Sequence, residues 1–526
     1  MKVLVSDNLS STGVNKLKEE DGIEVEVKTG LPEDELVKII PEYDGLIVRS
    51  ATKVTPRIIE AADQLKVIGR AGVGVDNINL EAAGKRGIIV MNAPDGNLIT
   101  TAEHSIALML SMARNIPQAS GTLKEGIWSP KKFMGVELYD KTLGVVGIGR
   151  IGSAVARRAK GLEMKVIGYD PYISKEHAEK LGVEVVELDE LLKRSDFITL
   201  HTPKVSGGPL LGEKQFNVMK SGVRIINCAR GALIDSEALI KAIEVGKVAQ
   251  AALDVYEKEP LNTDSPLLKT EGIICTPHLG ASTEEAQDKV AVAISEQLIG
   301  YLKYGQVRNA VNMPSIDAEL LVKIKPYLGL AENMGKLISQ IAEGAIKSVH
   351  ILYTGDVAKL NSDPITVTIL QGLFARTIDG VNMVNAPFIA KERDIEVQES
   401  KSNDVQDYTS AIGVKVTTNK GTRSIAGSLS GKSAPRIVKI DEFDFEAGFS
   451  KHMIVFTNYD APGVIGKVGN ILGENGINIA GFHLGRLSEQ GSKAVAVINT
   501  DIAPTETALK QLKVTENILE LFSVRL

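Results

Sequence analysis

Three polar residues directly follow apolar runs typical of buried strands: Arg230 in NCARGALID, Glu259 in AALDVYEKEP and His278 in TPHLG. A histidine is well suited to take a proton near neutral pH. A carboxylate beside it orients the ring and raises its pKa, and a guanidinium binds a carboxylate through two hydrogen bonds. Together the three side chains predict oxidation of a hydroxyl group by hydride transfer. His278 would be the base, Glu259 its partner and Arg230 the substrate anchor.

A glycine-rich stretch, GVVGIGRIG, places Gly147, Gly149 and Gly152 at the spacing of a dinucleotide-binding turn. In such a turn the first glycine allows the tight bend, the second lets a pyrophosphate approach the backbone, and the third lets helix and strand pack closely. Asp170 ends the next predicted strand, where an acid accepts hydrogen bonds from the adenosine ribose. Because an acid there repels a 2′-phosphate, the sequence predicts NAD rather than NADP as the cofactor.

Further positive charge is predicted where two earlier strands end, in IVRSA and IGRAGVG. The glycines after the second arginine expose backbone N–H groups that can cradle a carboxylate or a phosphate. The predicted substrate contacts are Arg49, Ser50, Arg70, Gly72, Val73 and Gly74. A phosphorylated hydroxy acid needs more positive charge than lactate or glyoxylate, so these residues favour a phosphorylated substrate.

The elements that must position these residues are short apolar runs alternating with helical patterns, in two series. This βαβα rhythm is typical of parallel sheets covered by helices. A long helical pattern, NLITTAEHSIALMLSMARNIPQA, separates the series and is predicted to close at Pro117. We therefore predict an α/β fold of two doubly wound parallel-sheet domains, a Rossmann cofactor domain inserted in a flavodoxin-like substrate domain. Ligands bind at the carboxyl ends of such strands, so the three catalytic candidates are expected at one edge.

The pattern changes from about Val311. Helices are followed by β-rich stretches with Gly and Ser turns, which predict an α+β intervening domain. The final stretch has the strand–helix–strand–strand–helix–strand order of a ferredoxin-like domain. The predicted bounds are 1–97 and 284–312 for the substrate domain, 98–283 for the cofactor domain, 313–447 for the intervening domain and 448–526 for the ferredoxin-like domain.

Composition narrows the possible functions. The 526 residues carry a formal net charge of −6, which argues against nucleic acid or an acidic membrane as partner. No run reaches the roughly 18 apolar residues that a membrane span needs. Cys228 and Cys275 lie in apolar runs and are predicted to be free thiols rather than a disulfide. Since no charged and apolar leader begins the sequence, we expect a cytoplasmic protein, and we predict no metal site.

The motifs GIGRIG, NCARGALID, AALDVYEKEP and TPHLGASTEEAQ resemble the D-isomer-specific 2-hydroxyacid dehydrogenase family. GLIVRSATKV, GRAGVGVDNI and VNAPFIAKER resemble its long-form branch, which acts on 3-phospho-D-glycerate, and the likeness spans essentially the whole chain. It implies the base, partner and anchor roles given above. The NAD contacts that it implies, beyond the glycine turn, are Arg150, Ile151, Asp170, Thr202, Ala229, Asp254, Gly280 and Ala281. The sequence departs from relatives at VSGGP, residues 205–209, in a loop expected near the nicotinamide.

The stretch FTNYDAPGVIGKVGNILGENGINIAG resembles an ACT domain, a module that binds amino acids at subunit interfaces. Its DAPG turn precedes a helix whose N-terminus can receive a carboxylate. Asp460 could pair with an ammonium group and Asn478 could bridge both, as matching residues do in relatives that bind serine. Asn458 stands where some relatives have tyrosine, which leaves the identity of the ligand open. The resemblance implies serine as effector, or a dimerisation module without ligand, within a homo-oligomer (dimer or tetramer).

From these features we predict NAD-dependent oxidation of 3-phospho-D-glycerate to 3-phosphonooxypyruvate, the first step of serine biosynthesis, with allosteric inhibition by serine. Two alternatives stay open: a glyoxylate or hydroxypyruvate reductase of the same family, and an NAD-sensing binding protein without turnover. The strand-end arginines and the ACT-like segment argue against the first alternative. The complete set of arginine, glutamate and histidine argues against the second.

Overall fold

The computed structural model describes residues 1–173, 175–204, 207–313, 318–403, 408–431, 433–487 and 492–526. Within these ranges the strands form two parallel sheets, one mixed sheet and one antiparallel sheet. Each parallel sheet has a separate apolar core on either face, and helices cover both faces. The predicted fold class is confirmed.

The first lobe is a flavodoxin-like sheet with its helices. Its strands are β1 Lys2–Val5, β2 Glu24–Val27, β3 Gly45–Val48, β4 Val67–Arg70 and β5 Ile89–Asn92. Its helices are α1 Ser11–Lys18, α2 Glu33–Ile39, α3 Pro56–Ala61 and α4 Leu80–Lys85, with a 3₁₀ turn at Ile40–Glu42. The strand order is β2-β1-β3-β4-β5, the doubly wound order in which ligands bind beyond the carboxyl ends of the strands. Strands β3 and β4 are buried almost to their ends, so Arg49 and Arg70 stand where the chain leaves the core.

The second lobe has the Rossmann strand order. Its strands are β6 Thr142–Val146, β7 Lys165–Tyr169, β8 Glu184–Val185, β9 Phe197–Leu200, β10 Val223–Asn227, β11 Val248–Leu253 and β12 Ile273–Cys275. Its helices are α5 Leu98–Ala113, α6 Ile116–Lys124, α7 Arg150–Gly161, α8 Lys175–Leu181, α9 Leu188–Arg194, α10 Glu213–Val218, α11 Ser236–Glu244 and α12 Pro266–Lys269, with 3₁₀ turns at Pro130–Phe133 and Gly231–Leu233. The order β12-β11-β10-β9-β6-β7-β8 reverses direction beside β6, the strand that leads into the glycine turn.

The chain crosses between the lobes twice. Helix α13, Glu284–Tyr304, returns it to the first lobe and packs against α1 and β4. The packing is close: a Cβ added to Gly13 would lie 2.7 Å from the Cβ of Ala291, and one added to Gly69 would lie 2.4 Å from Leu298. The second lobe is therefore an insertion in the first, as predicted.

The helix predicted to close at Pro117 is in fact two helices. Helix α5 ends at Ala113, Asn115 adopts a left-handed conformation with φ of 53°, and Pro117 stands in the first turn of α6. Proline suits a first turn because its missing N–H would have no helical partner there. The prediction that Pro117 closes the helix was wrong, and the break lies at Asn115.

The C-terminal part forms the third and fourth sheets. Its strands are β13 Ile346–Gly355, β14 Glu396–Ser402, β15 Ser410–Thr418, β16 Thr422–Ser430, β17 Ala434–Ile440, β18 Phe443–Gly448, β19 His452–Tyr459, β20 Ile479–Arg486, β21 Lys493–Thr500 and β22 Ile518–Arg525. Its helices are α14 Ala318–Ile341, α15 Asp363–Phe374, α16 Ala386–Glu392, α17 Val464–Glu474 and α18 Glu506–Lys513, with a 3₁₀ turn at Asp356–Lys359.

The last four strands make an antiparallel sheet in the order β20-β21-β19-β22, as a ferredoxin-like domain has. One face of this sheet packs on α17 and α18. The other face shares a core with the intervening region, to which Met453, Val455 and Val524 contribute. In the described part of the chain, no helix is both long and apolar enough to cross a membrane.

Candidate active site

A cleft of about 1800 Å³ opens between the two lobes, at the carboxyl ends of strands from both parallel sheets. Arg49, Arg70, Arg230, Glu259 and His278 all line it. Other predicted site residues that line it are Ser50, Gly72, Val73, Gly74, Ile151, Thr202, Ala229, Gly280 and Ala281. The predicted residues outside this lining are Gly147, Gly149, Arg150, Gly152, Asp170 and Asp254.

His278 and Glu259 meet on the loops that follow β12 and β11. Nδ1 of His278 donates to Oε2 of Glu259 at 2.7 Å, and the other carboxylate oxygen accepts from the backbone N–H of Tyr256 at 3.0 Å. The hydrogen bond to Glu259 raises the pKa of His278, against the opposing effect of burial. Burial acts to raise the pKa of Glu259, but the hydrogen bonds from His278 and Tyr256 leave it lowered. Because Nδ1 is engaged, Nε2 is the ring nitrogen available to a substrate proton.

Arg230 comes three residues after β10, a strand that is largely buried. Buried Asn227 shapes the turn between them: its Nδ2 donates to the carbonyl of Arg230 at 2.9 Å, and its Oδ1 accepts from the N–H of Ala229 at 3.1 Å. The guanidinium enters the cleft, where Nε pairs with Oδ2 of Asp76 at 2.9 Å and Nη1 donates to the carbonyl of Ala229 at 2.8 Å. The buried strand thus delivers a fixed cation to the space between the lobes.

Arg70 ends β4 close to two other cations. Burial, with the charges of Arg230 and Arg49, lowers the pKa of Arg70 to about 10. Its Nε is buried without a hydrogen-bond partner, and a Cβ at Gly72 would fall 1.4 Å from its Nη1, so the guanidinium lies against the glycine loop. Arg49 donates from Nη1 to the carbonyl of Asn8 at 3.1 Å. Three neighbouring guanidinium groups suit an anion that carries more than one negative charge.

The glycine turn has the geometry that each of its three positions requires. Gly147 adopts a φ of 91°, which side chains rarely take. A Cβ at Gly152 would lie 1.9 Å from the carbonyl oxygen of Gly147, so only glycine lets α7 approach the turn. At Gly149 nothing lies within 4 Å of an added Cβ, which leaves open space beside the start of α7. A helix N-terminus with such space fits a pyrophosphate, and the buried, unpartnered Oγ1 of Thr202 can serve the same ligand.

Asp170 and Arg150 flank this turn with different partners. Oδ2 of Asp170 accepts from the N–H of Ile148 at 2.9 Å, and Oδ1 accepts from the N–H of Tyr172 at 2.9 Å. The carboxylate therefore stands beside the glycine turn, as the fingerprint predicts. Arg150 pairs with Asp95 at 2.8 Å, which ties α7 to the segment that crosses between the lobes.

Asp254, predicted as an NAD contact, is fully buried and does not line the cleft. Its Oδ1 accepts from Oγ1 of Thr276 at 2.6 Å and from the N–H of Leu279 at 2.7 Å, and its Oδ2 accepts from the N–H of Gly280 at 2.8 Å. Burial acts to raise the pKa of Asp254, but the pKa is lowered overall. The lowering comes from these hydrogen-bond donors and from His104, whose Nε2 lies 3.2 Å away. Its carboxylate is occupied in holding the loop that carries His278, which the sequence pattern did not indicate.

That carboxylate is also part of a cluster of metal-ligand types with His104 and Cys228, whose ligand atoms lie within 4.8 Å of one another. Burial raises the pKa of Cys228 to about 12, so the thiol keeps its proton. The carboxylate oxygens of Asp254 already accept hydrogen bonds from the loop. The donor set is therefore arranged for hydrogen bonding rather than for a metal ion.

Sequence reasoning missed two further residues of the cleft. Asp76, which pairs with Arg230, comes two residues after the glycine cradle, and that proximity was the available signal. His201 follows β9 and lines the cleft; burial lowers its pKa to about 4, so the ring is neutral. Its Nε2 lies 2.9 Å from Oγ1 of Thr199. The unusual VSGGP loop begins at residues 205 and 206, which lie outside the described residues.

The predicted effector residues lie at the two ends of α17. Asp460 follows β19 and pairs with Nη1 of Arg486 at 3.4 Å, while Asn478 precedes β20 and donates from Nδ2 to Asp501 at 2.6 Å. The structure does not join Asp460 to Asn478 by a hydrogen bond. Asn458 is buried, and its Oδ1 has no hydrogen-bond partner.

Known family models match three parts of the chain. Residues 106–280 match the family model for the D-isomer specific 2-hydroxyacid dehydrogenase, NAD binding domain, and the protein is an NAD-dependent oxidoreductase. Residues 323–441 match the D-3-phosphoglycerate dehydrogenase intervening domain, and residues 452–517 match the ACT domain.

Two full-length relatives carry the same name. The chain is 46% identical to D-3-phosphoglycerate dehydrogenase of Archaeoglobus fulgidus and 43% identical to that of Bacillus subtilis, covering 100% of this chain and 100% and 99% of theirs. The chain belongs to the D-3-phosphoglycerate dehydrogenase family. Among solved structures, apo D-lactate dehydrogenase from Escherichia coli is 31% identical with a TM-score of 0.54, over 59% of this chain and 100% of that one. A glyoxylate reductase from Paecilomyes thermophila is 29% identical with a TM-score of 0.55, over 59% and 98%.

Proposed function

We propose that the protein oxidises 3-phospho-D-glycerate to 3-phosphonooxypyruvate with NAD, the first step of serine biosynthesis. The observation that carries this proposal is the state of Arg70. Its buried Nε has no partner, and two neighbouring arginines help to depress its pKa. Such a cluster is costly without an anion. The phosphate of the substrate would supply that anion, and the full-length relatives are named for this substrate.

In this mechanism Arg230 binds the substrate carboxylate, while Arg49 and Arg70 bind the phosphate. His278, neutral before reaction, takes the hydroxyl proton on Nε2 as the C–H bond breaks. Glu259 holds the ring through Nδ1 and stabilises the imidazolium that forms. NAD, when bound, supplies the hydride acceptor. For its binding we propose Gly147, Gly149, Arg150, Ile151, Gly152, Asp170, Thr202, Ala229, Gly280 and Ala281, and for the substrate cradle we add Ser50, Gly72, Val73 and Gly74.

The remaining proposals concern organisation. We propose the domain bounds that the sequence predicts: 1–97 and 284–312, 98–283, 313–447 and 448–526. We propose that Asp254, the remaining predicted NAD contact, serves the cofactor through the loop that its carboxylate holds.

Selectivity for the phosphate tests the main proposal against a glyoxylate or hydroxypyruvate reductase. We expect kcat/KM with NAD to fall more than about tenfold, or 1.4 kcal/mol, from phosphoglycerate to glycerate. Arg70→Met should remove most of that difference. Arg57→Met, which alters an exposed arginine of the same lobe paired with Asp34, should leave it intact. Equal turnover of the two substrates by the unaltered protein would contradict the assignment, and NADH formation separates it from a binding protein without turnover.

Serine inhibition is proposed from the ACT domain. Asp460 stands beside the turn before α17 and Asn478 follows that helix, so the carboxylate can pair with the ammonium group of an amino acid and the amide can bridge its ammonium and carboxylate. Asp460→Ala should abolish inhibition while preserving turnover, whereas Asp444→Ala, at an exposed carboxylate of β18, should keep it. An unaltered enzyme that is insensitive to serine would end the idea.

We also propose a homo-oligomer. The stretch from α6 to the start of β6 exposes several large apolar side chains, among them Trp128 at 82% and Met134 at 81% exposure. Apolar groups so exposed are typical of an interface. A solution mass equal to one chain, measured by light scattering, would contradict this proposal.

A further inference from the structure

Arg230 is already paired across the cleft. Its Nε lies 2.9 Å from Oδ2 of Asp76, which belongs to the loop between β4 and α4 in the first lobe, whereas Arg230 follows β10 in the second. Asp76 is 68% exposed and Arg230 is 34% exposed. The contact is thus an ion pair between lobes that solvent, or a ligand in the cleft, can reach.

The loop holds Asp76 in place. Nδ2 of Asn77 donates to the carbonyls of Arg49 and Thr52, both at 2.7 Å, and so anchors the loop to the end of β3. A Cβ at Gly74 would fall 2.2 Å from Nη2 of Arg230 and 2.9 Å from Oδ2 of Asp76. The guanidinium therefore lies directly on the loop, with the aspartate beside it.

Asp76 lies among several charged side chains of the cleft. Arg49 and Arg70 line the same cleft. The charges of Arg230 and Arg49 lower the pKa of Arg70, and the charge of Asp76 opposes them. The carboxylate of Asp7 accepts from the backbone N–H groups of Arg49 and Thr52. Among the described residues, Asp76 is the one carboxylate in an ion pair with any of these three arginines, and its partner is Arg230.

We propose that Asp76 is the resident counter-ion of Arg230 and that the carboxylate of the hydroxy acid displaces it. Asp76 is then a positioning residue: it holds the guanidinium across the open cleft and competes with the substrate for it. The exchange replaces one carboxylate by another, so the charge around Arg230 stays balanced throughout. The proposal rests on the proposed function only in taking Arg230 as the carboxylate anchor.

Oxalate, an unphosphorylated and unreactive carboxylate, provides the test on the full-length protein saturated with NADH. Removing the competitor by Asp76→Asn should tighten oxalate binding by up to about fivefold, the upper end of what one solvent-exposed ion pair contributes. In turnover, the same variant should lower KM for the hydroxy acid by a similar factor without raising kcat. Asp76→Glu keeps the charge and should stay near the unaltered protein. Asp34→Asn, which breaks an exposed ion pair of the same lobe, should change neither value.

A loop buttress without competition predicts the reverse result. In that case Asp76→Asn would bind oxalate more weakly, and that outcome, or equal binding by Asp76→Asn and the unaltered protein, overturns the proposal. Failure of oxalate to bind either protein overturns it as well. NADH binding is measured first and shows that each variant is folded. The charge-conserving variant Asp76→Glu provides a second comparison of oxalate binding with the unaltered protein. If phosphoglycerate is not oxidised, the proposed function fails, while oxalate binding still decides the role of Asp76.

Discussion

The same small change, glycine to alanine, can be made at two sites of the glycine turn. We expect it to damage the fold at one site and cofactor binding at the other. A methyl group added at Gly152 would lie 1.9 Å from the carbonyl oxygen and 3.0 Å from the carbonyl carbon of Gly147. Both are backbone atoms and cannot move aside without shifting α7 against β6. A methyl group added at Gly149 meets no atom within 4 Å. Gly152→Ala should therefore damage the fold, and Gly149→Ala should damage the binding of the cofactor.

The magnitudes follow from these distances. Forcing a methyl group into packed backbone costs about 1–3 kcal/mol, and 1 kcal/mol shifts the Tm of a domain of 150–250 residues by about 2–4 °C. Gly152→Ala should thus lower Tm by roughly 2–12 °C. Gly149→Ala should change stability by less than about 0.5 kcal/mol. Its methyl group enters the space proposed for the pyrophosphate, so NADH should bind at least about tenfold more weakly.

Thermal unfolding without cofactor and fluorescence titration with NADH measure the two effects separately. Gly161→Ala is the matched control, because Gly161 ends the same helix and an added Cβ there also meets nothing within 4 Å. This control should keep both Tm and NADH affinity. Unchanged NADH affinity in Gly149→Ala would refute the position proposed for the cofactor, and unchanged Tm in Gly152→Ala would refute the packing argument.

Three further predictions concern charged residues in the cleft or buried beside it. Glu259→Gln should lower the pKa of His278 and move the acid limb of kcat/KM for hydroxyl oxidation to lower pH, with a plateau about tenfold to hundredfold lower; an unmoved limb would argue against this base. Asp254→Asn should cost about 1–3 kcal/mol at neutral pH by denaturant titration. Because the pKa of Asp254 is depressed, its stabilisation is lost as pH falls below about 4, so the variant should show less acid loss. Arg70→Lys should lose phosphate preference as pH rises.

The sequence alone was enough for the fold class and for the ends of the strands that carry chemistry. Apolar runs buried on both faces are easily recognised, and a polar residue that ends one must emerge at the carboxyl edge. His278, Glu259 and Arg230 illustrate this, since each follows such a run and all three line one cleft. The glycine turn was recognisable because its three positions serve backbone geometry rather than side-chain chemistry.

Other features depended on contacts between distant segments. Asp254 and Glu259 both follow β11, yet one is fully buried under the His278 loop and the other faces the cleft. Their positions in the sequence do not show which of the two is buried, because the burial of each depends on where the loop after β12 folds back. The pairing of Asp76 with Arg230 likewise requires knowing how the two lobes face each other. The sequence did not reveal the helix break at Asn115, because a proline such as Pro117 is compatible with both the end and the start of a helix.

The use of arginine rather than lysine at position 70 has a physical reason. Burial and two neighbouring cations lower the pKa of Arg70 to about 10, which still leaves it charged at neutral pH. The amine of lysine begins about two units lower than a guanidinium, so the same surroundings would leave a lysine partly neutral. Arginine also offers a fixed fork of donors to phosphate oxygens. A cleft that gathers three like charges before its ligand arrives can keep them all only with side chains as basic as arginine.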